Sequence, residues 1–144
     1  MSITQTVIDI PAEYETKIFG EYDAYAKILE RTYHVTLISR DGSVKIIGEP
    51  GPAGSAAAVL EKLLALVRGG GEITEQSVNY AVSLNMEDKA DALLEIDRDL
   101  ICHTVSGKPI KPKTLGQKAY VDQIRQKMIV FGIGPAGTGK TFLA

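Results

Sequence analysis

Eight residues near the C-terminal end constrain this chain more than any others. Gly134-Pro135-Ala136-Gly137-Thr138-Gly139-Lys140-Thr141 matches G-x-x-x-x-G-K-[ST] in full. It follows a continuous apolar run, Met128 to Ile133, that reads as a buried strand. A strand, a glycine-rich loop and a helix in that order form a phosphate-binding loop, which commits this end of the chain to an α/β architecture. Backbone N–H groups from about Gly137 to Thr141 are expected to point inward at phosphates, and glycine allows close approach and positive φ. Pro135 cannot donate, but it sits early in the loop, where a fixed φ stiffens the turn without removing a phosphate-facing donor. Lys140 supplies a point charge between β- and γ-phosphates, Thr141 offers its hydroxyl to Mg²⁺, and the new helix adds its positive end. The bland alternative is a glycine-rich turn with an exposed lysine.

Gln117 is the second candidate. With Thr114 it fits a capping box, the Thr hydroxyl and the Gln amide satisfying backbone donors, ahead of a helix from Gln117 to about Lys127. An amide at this place, ahead of the first core strand, can also read adenine, because it donates and accepts together against N7 and N6. One residue can serve both roles.

The rest of the chain reads as a small domain and a connector. Ile3 to Ile10 alternates as a first strand closed by Pro11. Tyr22, Tyr25, Ala26 and Leu29 fall at helical spacing up to Arg31, followed by a strand Val35 to Ile38, a tight turn at Asp41-Gly42, and a hairpin partner Val44 to Ile47. Gly48 to Ser55 reads as a loop, and Ala56 to Arg68 as a helix ended by Gly69-Gly70-Gly71. The expected order is βαββα over residues 1–70. Residues 71–104 form a helical connector, with Thr74 capping one helix and a second running from about Glu87 to Leu94. Ile101 to Lys113 reads as an extended basic linker, with the last domain starting near residue 105. The chain stops at Ala144, four residues into a helix too short to stand alone, so a segment of a longer protein is expected.

Charge divides the chain further. Residues 1–100 hold nine Lys and Arg against seventeen Asp and Glu, a balance of -8, whereas residues 101–144 hold seven against one, a balance of +6. The acidic part opposes nonspecific nucleic-acid binding, which depends on phosphate neutralisation, and favours protein contact. Lys108, Lys111, Lys113, Lys118, Arg125 and Lys127 make a basic stretch suited to RNA or to solvation. Cys102 is the only cysteine, so no internal disulfide can form, and with only His34 and His103 besides, a transition-metal site is not expected. No apolar run is long enough to span a bilayer, and Met1 to Ile10 is unlike a signal peptide, so a cytoplasmic location is expected.

The run from Gly107 to Gln117 followed by Ile129 to Thr141 closely resembles the PhoH-like, phosphate-starvation-inducible ATPase family. The likeness is weaker but collinear over residues 15–100. It implies a superfamily 1 helicase-like P-loop domain, truncated here, that uses ATP and Mg²⁺. Gly134, Pro135, Ala136, Gly137, Thr138, Gly139, Lys140, Thr141 and Gln117 would then contact ATP, with Lys140 catalytic and Thr141 on Mg²⁺. The acidic strand end that activates water in such proteins is expected beyond Ala144.

The N-terminal domain resembles a KH module in the order of its loop, helix, hairpin and last helix. Its phosphate-clamping loop, G-x-x-G in that fold, here reads Gly20-Glu21-Tyr22-Asp23, and the two carboxylates would repel phosphates. Gly51-Pro52-Ala53-Gly54 also spells G-x-x-G and reads as a turn. The resemblance thus implies an ATP-binding protein that hydrolyses ATP when intact and is linked to RNA metabolism. The alternative is an RNA-binding or ribosome-associated adaptor with nucleotide as a switch. RNA through the ATPase domain, a protein through the N-terminal domain and a second copy of the chain are the partners left open, and no membrane is expected.

Overall fold

The computed structural model describes residues 2–86 and 92–144, as two compact units that divide after Asp91. The chain is mixed α/β with small antiparallel sheets.

In the first unit, β1 (Thr4–Asp9) leads through Pro11 into α1 (Ala12–Phe19), and a short turn at Glu21–Asp23 joins it to α2 (Ala24–Tyr33). A hairpin of β2 (Thr36–Arg40) and β3 (Ser43–Gly48) follows, and then α3 (Pro50–Arg68) and α4 (Glu75–Met86). The sheet order is β1-β3-β2, antiparallel throughout. The hairpin turns where expected: Asp41 and Gly42 take φ of 52° and 77°, the double left-handed geometry of a two-residue turn, and Arg40 pairs with Ser43.

Alternation sends Ile8, Val44 and Ile46 inward, where they are buried under α3. The opposite face carries Val7, Lys45 and Ile38 side by side in register, with Val7 and Ile38 exposed. α3 lies against β1 and β3, and also against α1, α2 and α4. Its Val59, Leu60, Leu63, Leu64 and Val67 form one apolar stripe, all buried.

Two readings of this unit change. α1 is an additional helix, so the order is βααββα rather than βαββα. The stretch read as a loop and turn, Gly48 to Ser55, is helical from Pro50. Both prolines fall in the first turn, where no intrahelical donor is needed, so they start α3 rather than break it. Thr74 does cap α4: its Oγ1 accepts from Ser77 N at 3.2 Å, while Ser77 Oγ accepts from Thr74 N at 2.7 Å. The part of the expected second connector helix from Glu87 to Asp91 lies outside the described residues.

The second unit begins with α5 (Ala92–Arg98) and continues through a small hairpin, β4 (Cys102–His103) with β5 (Pro109–Ile110), to α6 (Leu115–Gln126) and α7 (Lys140–Leu143). The basic stretch read as an extended linker is therefore folded back on itself. Gly107 at φ 83° makes the turn, and Gly107 N donates to Thr104 O at 2.8 Å.

The expected buried strand Met128 to Ile133 is the largest correction. No strand forms there, and Met128 and Ile133 are 101% and 97% exposed. A buried parallel strand needs hydrogen-bonded neighbours at its edges and helices over its faces. Among the described residues none pairs with it. No helix among the described residues is long and apolar enough to cross a membrane.

Candidate functional site

The glycine-rich loop owes its shape to three features of its sequence. Gly137 and Gly139 sit at φ 80° and 81°, values that glycine alone adopts without strain, and Gly139 is the N-cap of α7. Thr138 Oγ1 donates to Pro135 O at 3.0 Å and closes the turn between them. The Lys140 side chain folds back into the loop, its Nζ donating to Gly134 O at 2.9 Å, Pro135 O at 2.7 Å and Thr138 Oγ1 at 3.2 Å.

The loop therefore surrounds its own ammonium. Among the described residues, the backbone N–H groups of Gly137 to Thr141 make no backbone hydrogen bond. Ala136 is exposed at the turn, and the Thr141 hydroxyl is exposed without a hydrogen-bond partner among the described residues. That hydroxyl fits the role of one oxygen ligand to a hard cation. Among the described residues no group of three or more His, Cys, Asp or Glu could hold a metal.

α6 supports the loop from one side. Thr114 caps the helix in extended conformation, and its Oγ1 accepts from Gln117 N at 3.1 Å, as the capping box requires. The Gln117 amide departs from that box. Its Oε1 accepts from Lys113 N at 2.7 Å, one residue earlier than a box would have it. Its Nε2 donates to Thr138 O at 3.2 Å, so the residue named from two separate arguments joins the helix cap to the loop.

Tyr120 was not foreseen. Its hydroxyl donates to Lys140 O at 3.0 Å, and a Cβ on Gly132 would stand only 3.0 Å from its ring. The available signal was spacing: Tyr120 lies three residues after Gln117, on the same helix face.

The basic stretch is partly consumed inside the unit. Lys111 Nζ meets Asp97 at 3.3 Å. Lys118 Nζ reaches Asp122 at 3.1 Å and Asp99 at 3.4 Å, and Arg125 Nη1 reaches Asp99 at 2.8 Å. Asp99 is 13% exposed in its side chain. The hydrogen bond from Arg125 and the nearby cations hold its carboxyl below the usual carboxylate range, against desolvation. Lys118 is raised mainly by its bond to Asp122, and Arg125 by its bond to Asp99.

In the first unit, the loop Gly20-Glu21-Tyr22-Asp23 joins α1 to α2. Tyr22 and Asp23 both adopt left-handed backbone, at φ 54° and 57°, and Tyr22 is 86% exposed. Two adjacent non-glycine residues in that region hold steric strain.

Residues 109–144 match the protein family described as PhoH-like protein. Relatives bearing that description extend the likeness over most of the chain. One from Mycobacterium tuberculosis is 39% identical over 138 residues, covering 95% of this chain and 39% of the relative. One from Bacillus subtilis is 36% identical over 127 residues, covering 88% of this chain and 40% of the relative. A more distant one from Synechocystis is 26% identical over 145 residues, covering 100% of this chain and 44% of the relative. No solved structure matches the chain significantly. The chain belongs to the PhoH-like family. It spans about two fifths of the length of the curated relatives it matches.

Proposed function

We propose that Gly134–Thr141 binds ATP through its phosphates and that the intact protein hydrolyses it. One observation carries this reading: a loop with two left-handed glycines surrounds the Lys140 ammonium while a run of backbone donors, Gly137 to Thr141, makes no backbone hydrogen bond. A phosphate group offers Lys140 a stronger acceptor than the three neutral oxygens it now meets. Those bonds are exchanged on binding. Thr141 would hold Mg²⁺, which supplies neutralisation of phosphate charge when bound. In this reading Gln117 recognises adenine, on condition that its amide gives up Thr138 O or Lys113 N.

The first unit is read as a KH-like module that docks a protein. Its loop falls between two successive helices, ahead of the hairpin, and it carries carboxylates where phosphates would have to approach. Pairing of Lys111, Lys118 and Arg125 with aspartates leaves Lys108, Lys113 and Lys127 as the cations of that stretch without an ion pair among the described residues, which weakens the case for RNA there. A link to RNA metabolism is kept for the intact ATPase domain. The adaptor reading, in which nucleotide is a switch, differs in one measurement: RNA of increasing length stimulates a motor progressively.

The test is binding and turnover of ATP by the intact protein and by Lys140→Ala. Turnover is expected to fall by about 100-fold or more, with weaker binding of ATP and GTP alike. Equal nucleotide binding by both proteins would sink the reading.

A further inference from the structure

α6 touches the glycine-rich loop at two carbonyls. Gln117 Nε2 donates to Thr138 O at 3.2 Å and Tyr120 Oη to Lys140 O at 3.0 Å. A trans peptide carries its N–H opposite its C=O in one rigid plane. Fixing Thr138 O therefore fixes the direction of Gly139 N–H, and fixing Lys140 O fixes that of Thr141 N–H. Both lie within the run of donors that makes no backbone hydrogen bond among the described residues.

Tyr120 does more than touch one carbonyl. Its ring lies against Gly132, before the loop, while its hydroxyl holds residue 140, after it. Lys140 O also accepts from Ala144 N at 3.2 Å, so its two lone pairs are shared between the helix and the tyrosine. The half-buried ring thus spans the entry and the exit of the loop.

We propose that Tyr120 is a positioning residue that aims the Thr141 N–H, and with it the Lys140–Thr141 junction, at the phosphates of a bound nucleotide. This rests on the nucleotide reading above and adds a base-blind element to it. Gln117 faces a choice between adenine and the loop, whereas Tyr120 acts on a part of the ligand that every nucleoside triphosphate shares.

The experiment compares ATP, GTP and adenosine binding to the intact protein and to Tyr120→Phe, which keeps the ring and removes the hydroxyl. ATP and GTP are expected to weaken equally, by about 3- to 10-fold, the worth of one hydrogen bond, with adenosine unchanged. Gly132→Ala is a second variant that keeps the hydroxyl and pushes on the ring, and it should give a smaller loss with the same indifference to the base. Nucleotide constants unchanged in both variants, with or without a lower melting temperature, would overturn the proposal. So would a loss confined to ATP, which would place Tyr120 at the base. Failure of the unmodified protein to bind either triphosphate would overturn the nucleotide reading itself.

Discussion

Gly20 offers the sharpest test of how the first unit builds its loop. It takes φ 79° and ψ 173°, a region essentially closed to other residues. A Cβ added there would lie 2.7 Å from Tyr25 Cδ2, 2.8 Å from Cγ and 2.9 Å from Cε2. Gly20→Ala therefore carries two costs, about 1 to 3 kcal/mol for backbone strain and about 1 to 3 kcal/mol for displacing a packed ring. The sum, about 2 to 6 kcal/mol, is a large part of the roughly 5 to 15 kcal/mol that stabilises a typical domain. With a urea dependence of about 1 to 3 kcal/mol per molar, the unfolding midpoint should fall by about 0.7 M or more. Far-UV circular dichroism of the chain in urea measures this directly. A midpoint within about 0.3 M of the unmodified chain would refute both costs, the one assigned to the Tyr25 ring and the one assigned to the backbone.

Gly54 gives the opposite expectation: it lies inside α3, and a methyl group added there would meet nothing within 4 Å, so Gly54→Ala should stabilise the chain by about 0.5 to 1 kcal/mol in the same titration. Asp23→Gly relieves a left-handed residue and removes a carboxylate, so it should not lower the urea midpoint, and it should tighten single-stranded RNA at least about 10-fold if charge is what closes that loop. An unchanged RNA constant in a polarisation assay would refute the electrostatic argument. In the intact protein, Gln117→Ala should weaken ATP by about 1 to 3 kcal/mol, and GTP by less, by competition binding; equal losses would leave Gln117 as a support for the loop alone. Because the Asp99 carboxyl is held low, its contribution is present above the unfolded value of about 4 and is lost as pH falls through the lower folded value. Amide exchange in α6 should therefore speed up in that acid window, and Asp99→Asn should abolish the change.

What the sequence made legible was local. The Asp41-Gly42 hairpin and the Thr74 and Thr114 hydroxyl caps follow from chemistry within four residues and form as expected, although the Gln117 half of the Thr114 capping box takes Lys113 N instead of Thr114 N. α1 escaped because only Ile18 and Phe19 of its eight residues are buried, too few to establish a helical period. The start of α3 escaped because Pro50, Gly51, Pro52 and Gly54 have turn chemistry everywhere except in a first helical turn. The run Met128 to Ile133 is the converse case. Its composition states that the segment favours burial, but a strand is a property of its partners, and a single segment's sequence does not name them.

The site shows the same division at closer range. The G-x-x-x-x-G-K-T spelling located the loop, and the loop geometry required no long-range information beyond two glycines. The contacts from Gln117 and Tyr120 cross 21 and 20 residues of sequence, and only the helical period of α6 hinted that the two side chains share a face. Charge counting failed for a similar reason. Dividing the chain at residue 100 put Asp97 and Asp99 in the acidic part and Lys111, Lys118 and Arg125 in the basic part, although the fold pairs them within one unit. A sequence balance of +6 over residues 101–144 therefore overstates the charge available to a polyanion, because part of it is already matched by carboxylates that lie just across the dividing line. Nucleic-acid affinity follows the cations that carry no ion pair, so among the described residues Lys108, Lys113 and Lys127, rather than the whole basic stretch, are those the second unit offers to a polyanion.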